Sequence, residues 1–205
     1  MNKFRLLATL LVVALCTTTI FTSCRNDDDD DNGGTFEIRA TNVSGNTSGI
    51  TTVRAIIYGS NDNVLTVGEA PFQNNGFTLR LTNEIPASFL FPVTYMEYEG
   101  TLTISDRSAR LAFIQEGICA LNSGSNKIGV LWSGNERENA SFWAFWIYAD
   151  KNVTIRGTND RAYYNLNLRR GWNTVYEHYS TGIERFTTQR PAGANLQWNF
   201  SDFSD

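Results

Sequence analysis

From Thr35 onward, apolar and polar residues alternate with a period of two between clusters of turn-forming residues. That is the repeat of a strand with one face covered and one face wet. TFEIRAT places Phe36, Ile38 and Ala40 on one face; TTVRAIIYG does the same with Val53, Ala55 and Ile57. GFTLRLT sets Phe77, Leu79 and Leu81 opposite Thr78 and Arg80. Between them, GSNDN and FQNNGF read as turns, and Asn75-Gly76 predicts a hairpin because both residues tolerate positive φ. Pro71 predicts a strand end or an edge strand, since it has no N–H to give a ladder.

The second half keeps this style. EYEGTLTIS and ARLAFIQ flank a turn at Ser105-Asp106-Arg107. YYNLNLRRGWNTVYEHY predicts a hairpin about Arg170-Gly171, with Tyr164, Leu166 and Leu168 sharing a face of its first strand and Trp172, Thr174 and Tyr176 a face of its second. FWAFWIYAD puts Phe142, Ala144, Trp146 and Tyr148 on one side and Trp143, Phe145 and Ile147 on the other. Apolar residues on both faces predict a central strand covered on both sides. No stretch of ten or more residues has a helical period, and IPASFLFP has room for one short turn between Pro86 and Pro92. About ten or eleven short strands with regular turns predict an all-β antiparallel sandwich of Ig-like or transthyretin-like Greek-key type, with a calycin-like β-barrel as the alternative. The stretch VRAIIYG…LTVGEAPFQNNGFTLRLTNEIP, about forty residues, resembles transthyretin-like or carboxypeptidase-regulatory-like β-sandwich modules of surface lipoproteins. One domain is expected over residues 35–205, with two small lobes meeting near residues 120 to 127 as the other arrangement.

The front of the chain has a different pattern. Lys3 and Arg5 precede an apolar run from Leu6 to Leu15, too short to span a bilayer as a helix. A positive start, a short apolar core and small residues after it describe a secretory signal. Its end, Phe21-Thr22-Ser23-Cys24, resembles the lipobox of bacterial lipoproteins, with Phe21 in place of the usual Leu. The resemblance implies cleavage of residues 1–23 and acylation of Cys24, and several acyl chains on one residue give a stable anchor. Residues 24–34 form the tether, in which Asp27, Asp28, Asp29, Asp30 and Asp31 repel one another and stay solvated. This acidic run resembles the export signal of Bacteroidales-type surface lipoproteins, which implies an outer-membrane, cell-surface location; the alternative is the periplasmic leaflet. SGNERENASFWAFWIYADKNVTIRGT…LNLRRGWNTVYE is similar to segments of lipoproteins of the same type, which offer no catalytic residues to carry over.

Charge and cysteine usage narrow the picture. The chain has 17 basic and 21 acidic residues. Without Lys3 and Arg5 it has 15 and 21; without Arg25 and the aspartate run as well, 14 and 16. The folded part is near neutral, which excludes the basic footprint of a nucleic-acid binder. With Cys16 in the signal and Cys24 lipidated, Cys119 is left alone, so no internal disulfide is expected and the thiol, among apolar neighbours, reads as buried and inert.

The motifs of catalysis are missing. His178 is the only histidine, and there is no G-x-S-x-G elbow, Walker loop or G-x-G-x-x-G. Glu97 and Glu99 would lie about 7 Å apart on one face of a strand, a separation compatible with an acid/base pair, but a polar outer face is the plainer reading. Glu136 and Glu138 fall in a loop-like stretch. Asp150, Asn152, Asn159 and Asp160 offer oxygens for Ca2+ but are also ordinary turn formers, so no metal or other cofactor is expected. The candidate ligand residues are aromatic: Trp132 and Trp172 near turns, and Trp146 and Tyr148 in the central strand, with Trp198 as a further tryptophan. Flat apolar rings with a polar handle suit the C–H faces of sugars. The sequence therefore points to a membrane-anchored, non-catalytic binding module. Its expected partner is a polysaccharide or another envelope protein met through a sheet edge or aromatic patch.

Overall fold

The computed structural model describes residues 35–60, 63–97, 100–114, 117–136, 140–159 and 162–203. Cys24 and the run Asp27 to Asp31 lie outside these residues. The described chain is all-β, with sheets that do not close into a barrel, so the sandwich holds and the barrel alternative does not.

The alternating segments become strands with the expected faces inward. β1 (Phe36–Ala40) pairs with β4 (Phe77–Leu81) as a two-stranded sheet. Ile38, Ala40, Phe77, Leu79 and Leu81 are buried, while Thr78 and Arg80 are exposed. β2 (Thr52–Tyr58) buries Val53, Ala55 and Ile57 completely and pairs with β3 (Val64–Pro71), the edge strand that Pro71 ends. The turn before β4 is centred one residue earlier than expected. Asn74 and Asn75 hold φ of 51° and 55°, closing Gln73 onto Gly76. Gly76 is needed for close approach instead, since a Cβ there would lie 2.3 Å from the Ala40 carbonyl oxygen. The short turn expected in IPASFLFP is a 3-10 turn at Ala87–Phe89.

The other strands are β5 (Phe91–Pro92), β6 (Gly100–Ile104), β7 (Arg110–Ile114), β8 (Ile118–Leu121), β9 (Lys127–Asn135), β10 (Ala140–Ala149), β11 (Val153–Asn159), β12 (Ala162–Leu168), β13 (Gly171–Ser180), β14 (Ile183–Thr187) and β15 (Gln197–Asp202). The described residues thus hold fifteen strands, more than the ten or eleven expected. The surplus includes short pieces such as β5 and β8; the four residues of β8 are all buried and show no alternation to read. The large sheet runs β3-β2-β8-β9-β10-β13-β14-β12-β11-β6, with β15 on β9, β7 on β10 and β5 on β7.

β12 and β13 do not form the expected hairpin. β14 lies between them, parallel to β12 and antiparallel to β13. The short connection is held by the buried Asn173. Its Oδ1 accepts the Arg169 N–H (2.9 Å), and its Nδ2 donates to the carbonyls of Arg169 (2.7 Å) and Gly171 (2.9 Å). A side chain that serves the turn from within replaces the direct strand-to-strand ladder that the sequence suggested.

β10 is the central strand its pattern predicted. Trp146 and Tyr148 enter one hydrophobic cluster with Ile57, Leu79, Leu131, Trp172 and Trp198. Ile147 and Ala149, on the opposite face, enter a second with Leu111, Ile155, Leu166, Leu168 and Val175. The second cluster draws on β7 at one side of the sheet and β11 and β12 at the other, so the sheet curls strongly around it without closing. Cys119 is buried in β8.

Candidate functional site

The cleft arises where strands part. β9 and β10 pair only over Ser133–Asn135 and Phe142–Ala144. Below that short ladder, β9 turns to β8 through Ile118↔Leu131, and β10 turns to β7 through Trp146↔Ile114. Phe145 falls at the fork, between the residues bonded to β9 and those bonded to β7. A cleft of about 450 Å³ opens here, lined by Phe113, Trp132, Trp143, Phe145 and Glu177 around the small residues Gly117, Ser133 and Ala144.

Register sets which side chains meet. Trp143 is directly opposite Glu177 on β13, Glu177 opposite Phe186 on β14, and Phe186 opposite Tyr164 on β12. Directly opposed residues point to the same face of a sheet, so these four form one row across the open side of the second cluster. All four are half-buried. Tyr164 stacks on Phe186 at 5.1 Å, and Phe145 meets the same ring edge-on at 5.9 Å. The next row carries Tyr179 and Glu184, also opposed, so Glu184 is diagonal to Glu177. Trp132 and Trp143 close over Gly134. A Cβ at that glycine would lie 2.7 Å from Trp132 Cζ3 and 2.8 Å from Trp143 Cδ1. Only glycine allows both indoles to settle on the backbone there. Trp132 is steadied further by its Nε1–H, which donates to Ser201 Oγ (3.2 Å).

Glu177 is the electrostatic anomaly of the cleft. Burial beside aromatic rings pushes its carboxyl up to about 7, and the neighbouring charge of Glu184 adds to the rise. Burial also raises the Tyr164 hydroxyl, against a hydrogen bond with the Asn159 side chain, and both glutamates contribute to that rise.

Of the four aromatic residues chosen from the sequence, Trp132 alone lines this cleft. Trp172 (3% exposed), Trp146 (5%) and Tyr148 (8%) are core residues, which corrects the expectation that they offer an open platform. Their polar atoms also show structural use. Trp172 Nε1–H donates to the Thr82 carbonyl (2.8 Å) and Tyr148 OH to that of Asn83 (3.1 Å). Trp146 stacks on Trp198 at 5.8 Å above a smaller cavity of about 50 Å³ on the other face, room for little more than water. Proximity to a turn misled for Trp172, because the segment at Thr82 and Asn83 covers it.

The other candidates are engaged elsewhere. Glu97 is in a 3-10 turn, Val93–Glu97, instead of a strand, and binds Arg107 through both oxygens at 2.5 Å. Glu99, Glu138 and Asp160 lie outside the described residues, and Glu136 is exposed. Asp150 and Asn152 accept the N–H groups of Arg110 and Arg170, and Asn159 donates to the Met96 carbonyl. His178 stacks on Phe142 at 4.4 Å, on the face away from the cleft. Trp143, Phe145, Glu177 and Glu184 were not singled out from sequence. The alternation put Trp143 and Phe145 on one side of β10, and only the pairing with β13 brings Glu177 to them.

Fold and cleft together give an all-β protein with an open cleft lined by aromatic rings and a carboxyl group. Comparison with protein-family models, curated proteins and solved structures finds no match to the chain.

Proposed function

We propose that the protein is a lipid-anchored cell-envelope binding module that takes a glycan in the cleft between β9 and β10 and does not itself catalyse a reaction. The observation that carries the binding reading is the pair of half-buried indoles, Trp132 and Trp143, flanking Gly134 at the rim of a cleft large enough for a sugar ring. Indole faces can pack against sugar C–H groups while the N–H edge keeps a polar partner, as Trp132 does at Ser201. The anchor rests on Cys24 behind the short apolar run, and the aspartate run supports an address at the outer-membrane surface.

Titration of the protein against a broad panel of neutral, acidic and amino polysaccharides, followed by tryptophan fluorescence and calorimetry, tests the binding. Saturable binding is expected, and Trp143→Ala should weaken it by about tenfold or more, as for a central aromatic contact. A blank panel, or binding untouched by Trp143→Ala, would remove the glycan reading. Cys24→Ala should move the protein from the membrane fraction to the soluble one, and retention in the membrane would sink the anchor.

A further inference from the structure

We propose that the cleft recognises a positive charge: a cationic amine seats against the Trp132 and Trp143 indoles with the Glu177 carboxylate as its counter-charge. This rests on the binding reading above and adds that the glycan carries an unacetylated amino group.

The argument is one of charge complementarity in an apolar groove. Three half-buried carboxylates elsewhere have a basic partner, and a fourth, Asp150, accepts the Arg110 backbone N–H. Glu37 holds Arg39 and Arg80, Glu97 holds Arg107, and Asp106 lies 3.7 Å from Lys151. Glu177 has no such partner among the described residues. Among the described residues, the groups facing it are Glu184 and Phe186 from β14, Tyr164 from β12, Tyr179 from its own strand, and Ser141, Trp143 and Phe145 from β10. β9 contributes Trp132 and β7 contributes Phe113. None is basic. A carboxylate set among aromatic rings with only another carboxylate beside it is unfavourable when ionised, and the protein meets that by keeping the proton to about pH 7. A cation relieves the same strain better. It pairs with the ionised Glu177, and the electron-rich indole faces attract it as well. An anionic ligand would meet two carboxylates, and a neutral one would leave Glu177 unmatched.

The full chain, titrated calorimetrically with choline and with its uncharged isostere 3,3-dimethylbutan-1-ol, tests this. Choline should bind about tenfold or more tightly than the isostere at pH 8. Its affinity should fall on acidification to pH 6, where Glu177 holds its proton, and binding at pH 6 should release a proton. Glu177→Gln should abolish that pH dependence and most of the preference for choline. Trp143→Leu, which keeps apolar volume but removes the π face, should also weaken choline binding. Equal binding of the two probes, absence of choline binding, or choline binding indifferent to Glu177→Gln would overturn the proposal. Neutral glycans bound without preference for choline over the isostere would overturn it while leaving the glycan reading intact. Choline preference with a blank glycan panel would do the reverse.

Discussion

Trp198→Ala is expected to destabilise the protein by about 3–5 kcal/mol, the range for removing a large aromatic side chain from a packed core. Trp198 is 3% exposed and belongs to the first cluster. Its ring stacks on Trp146 (5.8 Å, 9° between planes) and meets Phe77 edge-on (5.1 Å, 76°). Its Nε1–H donates to the Arg39 carbonyl (3.0 Å). One side chain on β15 therefore ties together β1, β4 and the central strand, three elements distant in sequence. Alanine leaves a cavity between strands that cannot all close in and removes the hydrogen bond to the Arg39 carbonyl as well. Urea unfolding followed by circular dichroism checks this. A fall in midpoint at unchanged slope is the expected form. A loss below about 1 kcal/mol would mean that the aromatic cluster repacks freely.

Stability should also fall as pH rises from about 4.5 to 7, because of Glu177. In the unfolded chain its carboxyl titrates near 4.5, whereas in the fold it titrates at about 7. Between those values the folded state keeps a proton that the unfolded state has lost, so raising the pH favours unfolding. Below 4.5 both states are protonated and the penalty vanishes; above 7 it is complete. Glu37 and Asp106 act in the opposite sense at lower pH. Both are held below their ordinary values, Glu37 mainly by Arg39 and then Arg80, Asp106 mainly by Ser108. Their stabilisation is lost as pH falls below the ordinary carboxylate range. The two windows meet near pH 4.5, so a stability maximum is expected about there. Glu177→Gln keeps the shape of the side chain and removes the charge. At pH 8 it should raise stability by about 1–2 kcal/mol, less than the full shift implies because the cleft is open to screening water. Urea midpoints at pH 5 and pH 8 measure it, and a variant no more stable than the parent at pH 8 would remove the argument.

Much of this architecture was legible in the chain. Strands β1, β2 and β4 bury the alternate residues that the pattern selects, because a covered face must be apolar whatever covers it. The two-sided burial of β10 was legible for the same reason: Trp146 and Tyr148 on one side and Ile147 on the other could not all face water. Pro71 marked the end of an edge strand because a residue without an N–H cannot serve a ladder on both sides.

The site was not legible, since period two says which residues share a face but not which strand lies beside it. Trp143 and Glu177 are 34 positions apart, and their opposition depends on the register of β10 against β13. The failed hairpin between β12 and β13 has the same cause: the turn residues allowed it, and β14 took the place between them. Trp172 looked available beside its turn until the segment at Thr82 covered it. The sequence by itself determined that the protein is all-β, which faces of its strands are apolar, and that a short apolar run ends at a cysteine followed by aspartates. Only the tertiary structure decided that β9 and β10 part after a short ladder, leaving two indoles and one unmatched carboxyl at the opening. The physical reason is that hydrophobic alternation is local, whereas strand order and register are settled by contacts between distant segments, and a cleft exists only where those contacts stop.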